Sequence, residues 1–524
     1  MTGLLVATIA LSAVGTALAG VRWLRVAQRE HYLPGSVWRF VRRWWGHDQL
    51  HLAAALVAVA SVIAEGFVAG AGLLGALVAA GGPVGLGLRG RTGRLRWTRR
   101  LATIAVLGVA ECGAVSGAAA TLGGLRPTAT ALAASAVSAP ILVEIALLLD
   151  RPLEWALARR YIRHAAERLR RVSPVVVGIT GSYGKTSTKS YVAHLLSGSY
   201  SVVASPRSFN NRAGLARAVN ESLVEGTDVF VAEMGAYGAG EIAALVSWLH
   251  PRVAAITAIG PVHLERFGSL ERTAAAKREI FGSAEVAVLN VDDERLAPLA
   301  TELAAAGLRV IRCSAVDRTA DVAVIAGARG ASLHMAGSLA GGFALDNQRP
   351  VALSNVACAA GIAVALAVPE AEIAARLRSL PAVEHRLQVA TSPAGIVVLD
   401  DTFNANPAGT RLALAALKAI ARPNGRAVVV TPGMVELGGR QRPENEAFAR
   451  EAADVATDLV VVGTTNRRAL LAGGTPAGRP VGPRARQFRV TTVSSRAAAV
   501  AWVRQELQAG DAVLYENDLP DQYP

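Results

Sequence analysis

The segment Thr180-Gly181-Ser182-Tyr183-Gly184-Lys185-Thr186-Ser187 sets a lysine and two hydroxyls immediately after a glycine-rich turn. Such a turn suits a phosphate chain. Backbone N–H groups and the positive end of a following helix face the anion, a lysine reaches the outer phosphates, and a threonine hydroxyl sits on Mg²⁺. The flanks have the right character, because apolar Val175-Val176-Val177 predicts a strand before the turn and Lys189 to Leu196 a helix after it. One position departs from the general spacing: Ile179 stands five residues before Gly184, where a glycine is usual. These residues point to a bound nucleoside triphosphate, with Gly181, Ser182, Gly184, Lys185, Thr186 and Ser187 around its phosphates.

From residue 172 onward, apolar strand-like runs alternate with Ala/Leu-rich helical ones. The runs include Val229-Phe230-Val231, Val253 to Ala258, Val286 to Leu289, Ile396 to Leu399, Val428 to Val430, Leu459 to Val462 and Ala512 to Leu514. The alternation predicts α/β units with parallel sheets, whose ligands gather at the carboxyl ends of the strands. Polar residues stand at those ends: Glu233, His263, Asp400 and Asp401. The length suggests two domains. The cysteines Cys112, Cys313 and Cys358 have no metal-ligand spacing and suit reducing cytoplasm.

The first 150 residues are a different material. Of the formal net charge of +14, residues 1–173 carry +12, from 20 Arg, no Lys and 8 acids. A basic excess confined to one hydrophobic region argues against nucleic acid as the partner. The arginines cluster at 22–43, 89–100 and 151–171, separated by apolar segments near 2–21, 50–68, 69–88, 101–122 and 127–149. Read as five transmembrane helices, these put all three clusters on one side, which the positive-inside rule makes cytoplasmic, with the N-terminus outside. Residues 151–171 then read as a basic juxtamembrane helix. The split of 50–88 falls at Gly70-Ala71-Gly72. Ala17-Leu18-Ala19 resembles a signal cleavage site, but no basic stretch precedes the apolar run, which favours a retained anchor. Trp38, Phe40, Trp44 and Trp45 among arginines suggest an interfacial helix. Glu65, Glu111 and Glu144 lie inside the apolar segments, either lining a polar path or serving structural partners.

Several further pieces stand in order along the chain: Phe209-Asn210-Asn211-Arg212-Ala213-Gly214, Ala232-Glu233-Met234-Gly235-Ala236, Ile259-Gly260-Pro261-Val262-His263-Leu264-Glu265, Ala276-Lys277-Arg278-Glu279 and Leu289-Asn290-Val291-Asp292-Asp293. Glu384-His385-Arg386-Leu387-Gln388 and Asp400-Asp401-Thr402-Phe403-Asn404-Ala405-Asn406-Pro407 follow. With the glycine-rich turn, they resemble the central and C-terminal domains of the Mur ligases, and most closely the branch that adds D-alanyl-D-alanine. The resemblance covers about two thirds of the chain and none of residues 1–150. It implies domain bounds of 172–385 and 386–524, and an ATP-dependent ligase that joins a carboxylate to an amine through an acyl phosphate and releases ADP. In that reading Lys185, Glu233, His263 and Lys277 are catalytic. Thr186 and Glu233 hold one Mg²⁺, and His263 and a carbamylated Lys277 hold a second. Asn290, Asn355, Arg386, Asp400 or Asp401, and Asn404 meet nucleotide or incoming amine, and Asn210 and Asn211 meet substrate.

The chain departs from the family in three places. Cys358 stands where the adenine-side pattern has asparagine. Thr431-Pro432-Gly433-Met434-Val435-Glu436-Leu437-Gly438 replaces a usual Gly-Asp-Met before Glu-Leu-Gly. Membrane segments stand in place of the family's UDP-binding domain, so the expected acceptor is a lipid-linked muropeptide or another membrane-borne carboxylate. A partner subunit that recognises a soluble acceptor is an alternative. An amino-acid polymer synthetase, or a phosphate-loop ATPase coupled to transport, is the other reading left open.

Overall fold

The structure, a computed structural model, describes every residue except 1, 47, 89–94, 207–208, 328–329, 345–350, 404, 476–487, 520–522 and 524. Asn404 and Arg89, Arg91 and Arg94 of the second arginine cluster therefore lie outside the described residues. The chain divides into two units, Met1–Arg159 with Leu519–Pro524, and Arg160–Asp518.

The first unit is helical: α1 (Thr2–Arg29), α2 (Ser36–Trp45), α3 (Gln49–Glu65), α4 (Gly72–Gly81), α5 (Arg99–Gly123), α6 (Leu125–Val137) and α7 (Ala139–Val172), the last running on past the unit boundary. Among the described residues only α1 and α5 are long and apolar enough to cross a bilayer alone. The number rises to four if the bent pairs α2–α3 and α6–α7 each count as one crossing. The described residues thus do not present the five expected segments as five long apolar helices. α4 has 10 residues, about 15 Å of helix, half the thickness of a hydrocarbon core. Glycines delimit it: Gly70 has φ +90°, and the chain leaves through Gly82-Pro83 and Gly85 at φ +101°. The expected break at 70–72 is present, but the second segment ends too soon. The expected basic helix at 151–171 is the continuation of α7.

Charged side chains close both ends of this short helix. Glu65 accepts hydrogen bonds from Gly70 N (3.2 Å) and Gly72 N (2.6 Å) at its N-terminus. Arg22 donates to Ala79 O, Ala80 O, Gly82 O and Leu86 O, at 2.7–3.0 Å, around its C-terminus. An anion at the amino end and a cation at the carboxyl end complement the helix dipole and satisfy groups that no intrahelical bond reaches. Glu144 does the same for α2, accepting from Gly35 N (2.7 Å) and Trp38 N (2.9 Å). Two of the three glutamates are therefore structural caps, while neither carboxylate oxygen of Glu111 has a hydrogen-bond partner. The interfacial-helix expectation is also corrected. Phe40 and Trp44 are buried in the unit's own core with Trp23, Leu86, Leu101 and Leu147, whereas Trp38 is exposed.

The second unit carries two sheets. The first has nine strands in the order β2-β3-β1-β4-β5-β6-β7-β8-β9. These are β1 (Val175–Thr180), β2 (Val202–Ala204), β3 (Val229–Glu233), β4 (Val253–Ile256), β5 (Val286–Asn290), β6 (Arg309–Ser314), β7 (Val322–Gly327), β8 (Gly330–Met335) and β9 (Ser338–Phe343). Pairing is parallel through β7 and antiparallel over the β7–β8–β9 meander. The parallel strands read as continuous Val/Ala/Ile runs because both faces are covered. The P-loop helix α8 (Lys185–Leu196) and helix Leu353–Ala365 pack on one of those faces, burying Tyr191, Val192, Leu195, Val356 and Ile362. The second sheet has the order β10-β11-β15-β12-β13-β14, from β10 (Gln388–Thr391), β11 (Val397–Asp401), β12 (Ala427–Thr431), β13 (Asp458–Val462), β14 (Arg489–Val493) and β15 (Ala512–Glu516). It is parallel except for β10. Asn406 caps helix Pro407–Ile420 through Gly409 N, with Pro407 at its first turn, where a missing N–H costs nothing.

Arg22→Met leaves the carbonyls at the end of α4 without their cation. It is expected to destabilise residues 72–86 by about 2–3 kcal/mol, the value of a hydrogen-bonded charged group. Amide hydrogen exchange of the full chain should quicken over that segment, and unchanged exchange there contradicts the capping role.

Candidate active site

The phosphate loop joins β1 to α8 at the carboxyl edge of the first sheet, where β1 lies between β3 and β4. Gly181 has φ +152° and Gly184 φ +77°, conformations that a side chain resists. A Cβ on Gly184 would collide with the amide of Asn355, so the glycine is what lets Asn355 sit against the loop. Lys185 donates through Nζ to Gly181 O at 2.7 Å, and Ser182 N to Ala258 O at 2.7 Å, tying the loop to itself and to the end of β4. Ser187 follows Thr186 in the first turn of α8.

Glu233 ends β3 and is buried. Thr186 Oγ1 donates to its Oε2 at 3.0 Å, Lys189 Nζ lies 3.0 Å from the same oxygen, and Asn210 Nδ2 is 3.4 Å from Oε1. Burial opposes ionisation of Glu233, but Lys189 and Lys185 outweigh it and hold the carboxyl below its ordinary range. Lys189 was missed in the sequence, yet its signal was there: four residues after Lys185, it shares that lysine's helix face.

Lys185, His263 and Lys277 line one cavity of about 40 Å³ with Gly181, Ser182, Asn210, Gly235, Ala236, Tyr237 and Val262. Lys277 is buried, and burial together with the charge of Lys185 pushes its ammonium well below the usual lysine value. A neutral amine at that position is the form that reacts with CO₂, so the environment fits the carbamate expected there. His263 precedes helix Leu264–Phe267 with φ +55°. Burial lowers its pKa, and its Nδ1 makes a short contact to Glu436 Oε2. That contact and Arg266 overcome burial and hold Glu436 at about 2. Nδ1 faces the Glu436 carboxylate, which leaves Nε2 as the ring nitrogen not engaged by it. The Thr186–Glu233 pair is an oxygen donor set of the kind Mg²⁺ prefers. The donor types at each cluster would suit a cation, while among the described residues no three His, Cys, Asp or Glu side chains converge on one point.

Other expected contacts are engaged elsewhere. Asn211 caps helix Arg212–Ser222 through Gly214 N. Asn290 donates to Thr257 O and accepts from Asp292 N, bracing the ends of β4 and β5. These are structural bonds that both side chains make in the fold. In the second sheet Asp400 accepts from Thr402 and pairs with His385 Nδ1 at 2.8 Å. Arg386 stacks 4.5 Å from the ring centroid of Phe403. Burial raises Asp401 to about 6. Its register partner on β15 is Glu516, fully buried with both carboxylate oxygens unpartnered, and burial beside Asp401 lifts Glu516 well above the usual value. Motif reading missed Glu516, which nothing local marks; Glu436 lay in the quoted Thr431–Gly438 stretch, but its partner His263 was not legible there.

Comparison with known proteins agrees with this geometry. Residues 179–343 match the Mur ligase middle domain, and residues 385–515 match the Mur ligase glutamate ligase domain. The UDP-N-acetylmuramoyl-tripeptide–D-alanyl-D-alanine ligase of Mycobacterium tuberculosis is 35% identical over 363 residues, covering 65% of this chain and 69% of that protein. Among solved structures, MurF from Acinetobacter baumannii superposes with TM-score 0.58 at 24% identity, over 69% of this chain and 77% of its own. MurF from Thermotoga maritima in complex with ADP gives 0.55 at 24% identity, over 69% and 80%.

Glu516 holds its proton to higher pH in the folded protein than in the unfolded chain. Its burial therefore costs stability progressively as pH rises above 4.5. Glu516→Gln is expected to flatten that decline, so that its melting temperature gains on the parent between about pH 5 and about pH 8. Parallel melting curves across that range contradict the assignment.

Proposed function

The chain belongs to the Mur ligase family of ATP-dependent, ADP-forming amide ligases, and on that premise we propose that it extends a membrane-presented muropeptide in peptidoglycan precursor synthesis. The observation that carries the reading is the gathering of Lys185, Thr186, Glu233, His263 and Lys277 around one loop and one small cavity. In the proposed reaction the acceptor carboxylate attacks the γ-phosphorus of ATP, the bridging P–O bond breaks, and ADP leaves. The neutral amine nitrogen then attacks the acyl phosphate carbon, the acyl C–O bond breaks, and inorganic phosphate leaves, taking up the proton the nitrogen loses. Such a transfer asks the protein for positioning and charge neutralisation. Lys185 supplies a positive charge at the γ-phosphate, and Asn355 bounds the nucleotide beside Gly184. Thr186 and Glu233 would hold one Mg²⁺, and His263 with a carbamylated Lys277 another; the metals supply charge neutralisation on the phosphate oxygens. Arg386 and Asp401 belong on the nucleotide or amine side.

The relative from Mycobacterium tuberculosis is named for a UDP-linked tripeptide and D-alanyl-D-alanine. For the present chain we place the amine in the same class and the acceptor on lipid, because residues 1–159 form a helical unit whose outer surface is apolar. Leu4, Leu11 and Val14 of α1, Leu52, Leu56 and Ile63 of α3, and Val106, Val109 and Leu122 of α5 are all exposed. In the proposed topology α1, α5 and the α6–α7 pair cross, while α3 and the half-length α4 enter and return. The turn of that hairpin has its backbone satisfied by Glu65 and its exit by Arg22, as burial in lipid demands. All three arginine clusters then share the cytoplasmic side with residues 172–524, and the N-terminus lies outside. Lipid with anionic head groups suits those clusters.

The test is ADP release by the full-length protein in nanodiscs, with lipid-linked or UDP-linked muropeptide and D-alanyl-D-alanine or other amines. The expected result is release that needs both an acceptor and an amine, a matching mass gain on the lipid-linked acceptor, and none with Lys185→Ala. Release indifferent to both substrates overturns ligation, and preference for the UDP-linked acceptor overturns the lipid assignment. Depleting CO₂ should lower turnover, and bicarbonate should restore it in the parent but not in Lys277→Arg. An unresponsive parent enzyme removes the carbamate from the mechanism.

A further inference from the structure

The loop after β12 reaches from the second sheet to the metal-side histidine of the first. It is unusually well anchored. Asn445 accepts from Met434 N (2.8 Å) and donates to Met434 O (2.9 Å). Asn466 donates to Pro432 O and Met434 O (both 3.0 Å), and Asn517 donates to Gly433 O (2.7 Å). The three amides come from helix Gln441–Val455, from the N-cap of helix Arg467–Gly474, and from the residue after β15. Met434 and Leu437 are buried in the core beneath the second sheet. Between these anchors Glu436 is held at φ +64°, a left-handed conformation that a non-glycine residue adopts at a cost.

Glu436 spends its carboxylate on the central domain. One oxygen takes His263 Nδ1, and the other accepts from Arg266 Nη2 at 3.1 Å. Its carbonyl lies 3.4 Å from Glu265 N. Tyr237 packs edge-on against the imidazole with ring centroids 4.7 Å apart, and Arg266 lies 4.5 Å from the Tyr237 centroid. His263 is itself left-handed, so the contact joins two backbone positions of low intrinsic stability. A metal-ligating histidine ordinarily donates its other ring N–H to a carboxylate, which fixes tautomer and ring direction. Here the carboxylate comes from a different domain from the histidine.

We infer that Glu436 is a positioning residue through which docking of the C-terminal domain completes the His263 metal site, so that the second cation is held tightly only while that domain is engaged. The inference rests on His263 being a metal ligand, as the proposed function reads it. With Glu436 in place, the imidazole is fixed with its proton on Nδ1 and Nε2 left to the cation. When the C-terminal domain withdraws, the loop takes the carboxylate with it, and His263 loses both orienting partner and tautomer preference. A cation at that position would then lose the fixed Nε2 of His263 as a ligand. Arg266 belongs to the same device, because it holds the second carboxylate oxygen and so the direction from which Glu436 approaches.

Mn²⁺ binding to the full chain in neutral-lipid nanodiscs, followed by electron paramagnetic resonance with ADP but neither acceptor nor amine, tests this without any turnover. Glu436→Ala is expected to weaken one Mn²⁺ site by about 10–100-fold, the usual cost of losing such an outer partner. The other site should stay unchanged, and Glu436→Gln, which keeps an acceptor oxygen, should recover most of the loss. His263→Ala should abolish the same site. Hydrogen exchange should show residues 263–267 and 432–438 losing protection together in Glu436→Ala. In turnover, kcat should fall while the KM for ATP stays within about twofold, since the phosphate loop is untouched. Equal Mn²⁺ affinity in Glu436→Ala and the parent overturns the inference, as does a Mn²⁺ site indifferent to His263→Ala. If Glu436→Ala does not fold, an unaltered Mn²⁺ site in Arg266→Gln together with unaltered exchange at 432–438 overturns it instead. Failure of the ligase reading alone would show as normal Mn²⁺ behaviour with no amine-dependent ADP release.

Discussion

A buried carboxylate at the end of β3 needs positive charge, and much of the catalytic architecture follows from that need. Glu233 sits between Lys189, Thr186 and Asn210, with Lys185 contributing its field. Breaking a buried ion pair by removing one partner costs about 3–5 kcal/mol, so the first two turns of α8 are pinned against β3 by electrostatics as well as by packing. That pinning orients the phosphate loop, whose glycines allow Asn355 and the end of β4 to close around it. A cation held at Glu233 would share that carboxylate with Lys189, so a lysine that looks peripheral in sequence would set the charge such a cation meets.

A similar constraint organises the first unit. α4 is too short to reach across a bilayer and has glycine-marked ends, so its terminal amides and carbonyls need partners from elsewhere. Glu65 and Arg22 provide them with signs matched to the helix dipole. Those acids and bases, scattered through hydrophobic sequence, invite a reading as a transport path; Glu65 and Glu144 instead hold helix N-termini. This removes most of the sequence support for a transport ATPase, and it explains why charged residues are tolerated in so apolar a region.

The two sheets were largely legible from the strand-like runs, because parallel strands covered on both faces are continuously apolar. The phosphate loop was legible because its chemistry is contiguous: glycines, lysine and hydroxyls act within a single turn. Reading failed where a role depends on something distant. Asn211 and Asn290 stand in ligand-like motifs; Asn211 also caps its own helix three residues on, and Asn290 braces Thr257 across the sheet, a bond only folding makes. Lys189 was one helical turn from a recognised lysine, and counting by four would have found it. Glu516 had no such signal, and Glu436 stood in a quoted motif that does not name its partner in the other domain. Five spans were expected because hydropathy counts apolar residues and does not see that glycines end α4 after ten.

The sequence by itself determined the family, the ATP chemistry and the division between an apolar, arginine-edged region and an α/β remainder. Those properties reside in local residue order and in composition. Tertiary structure alone decided which polar side chains share a site. Glu233 with Lys189, His263 with Glu436, and Asp401 with Glu516 are pairs separated by 44, 173 and 115 residues. Their energies depend on burial and on ångström-scale approach, and neither is encoded in any one stretch of chain.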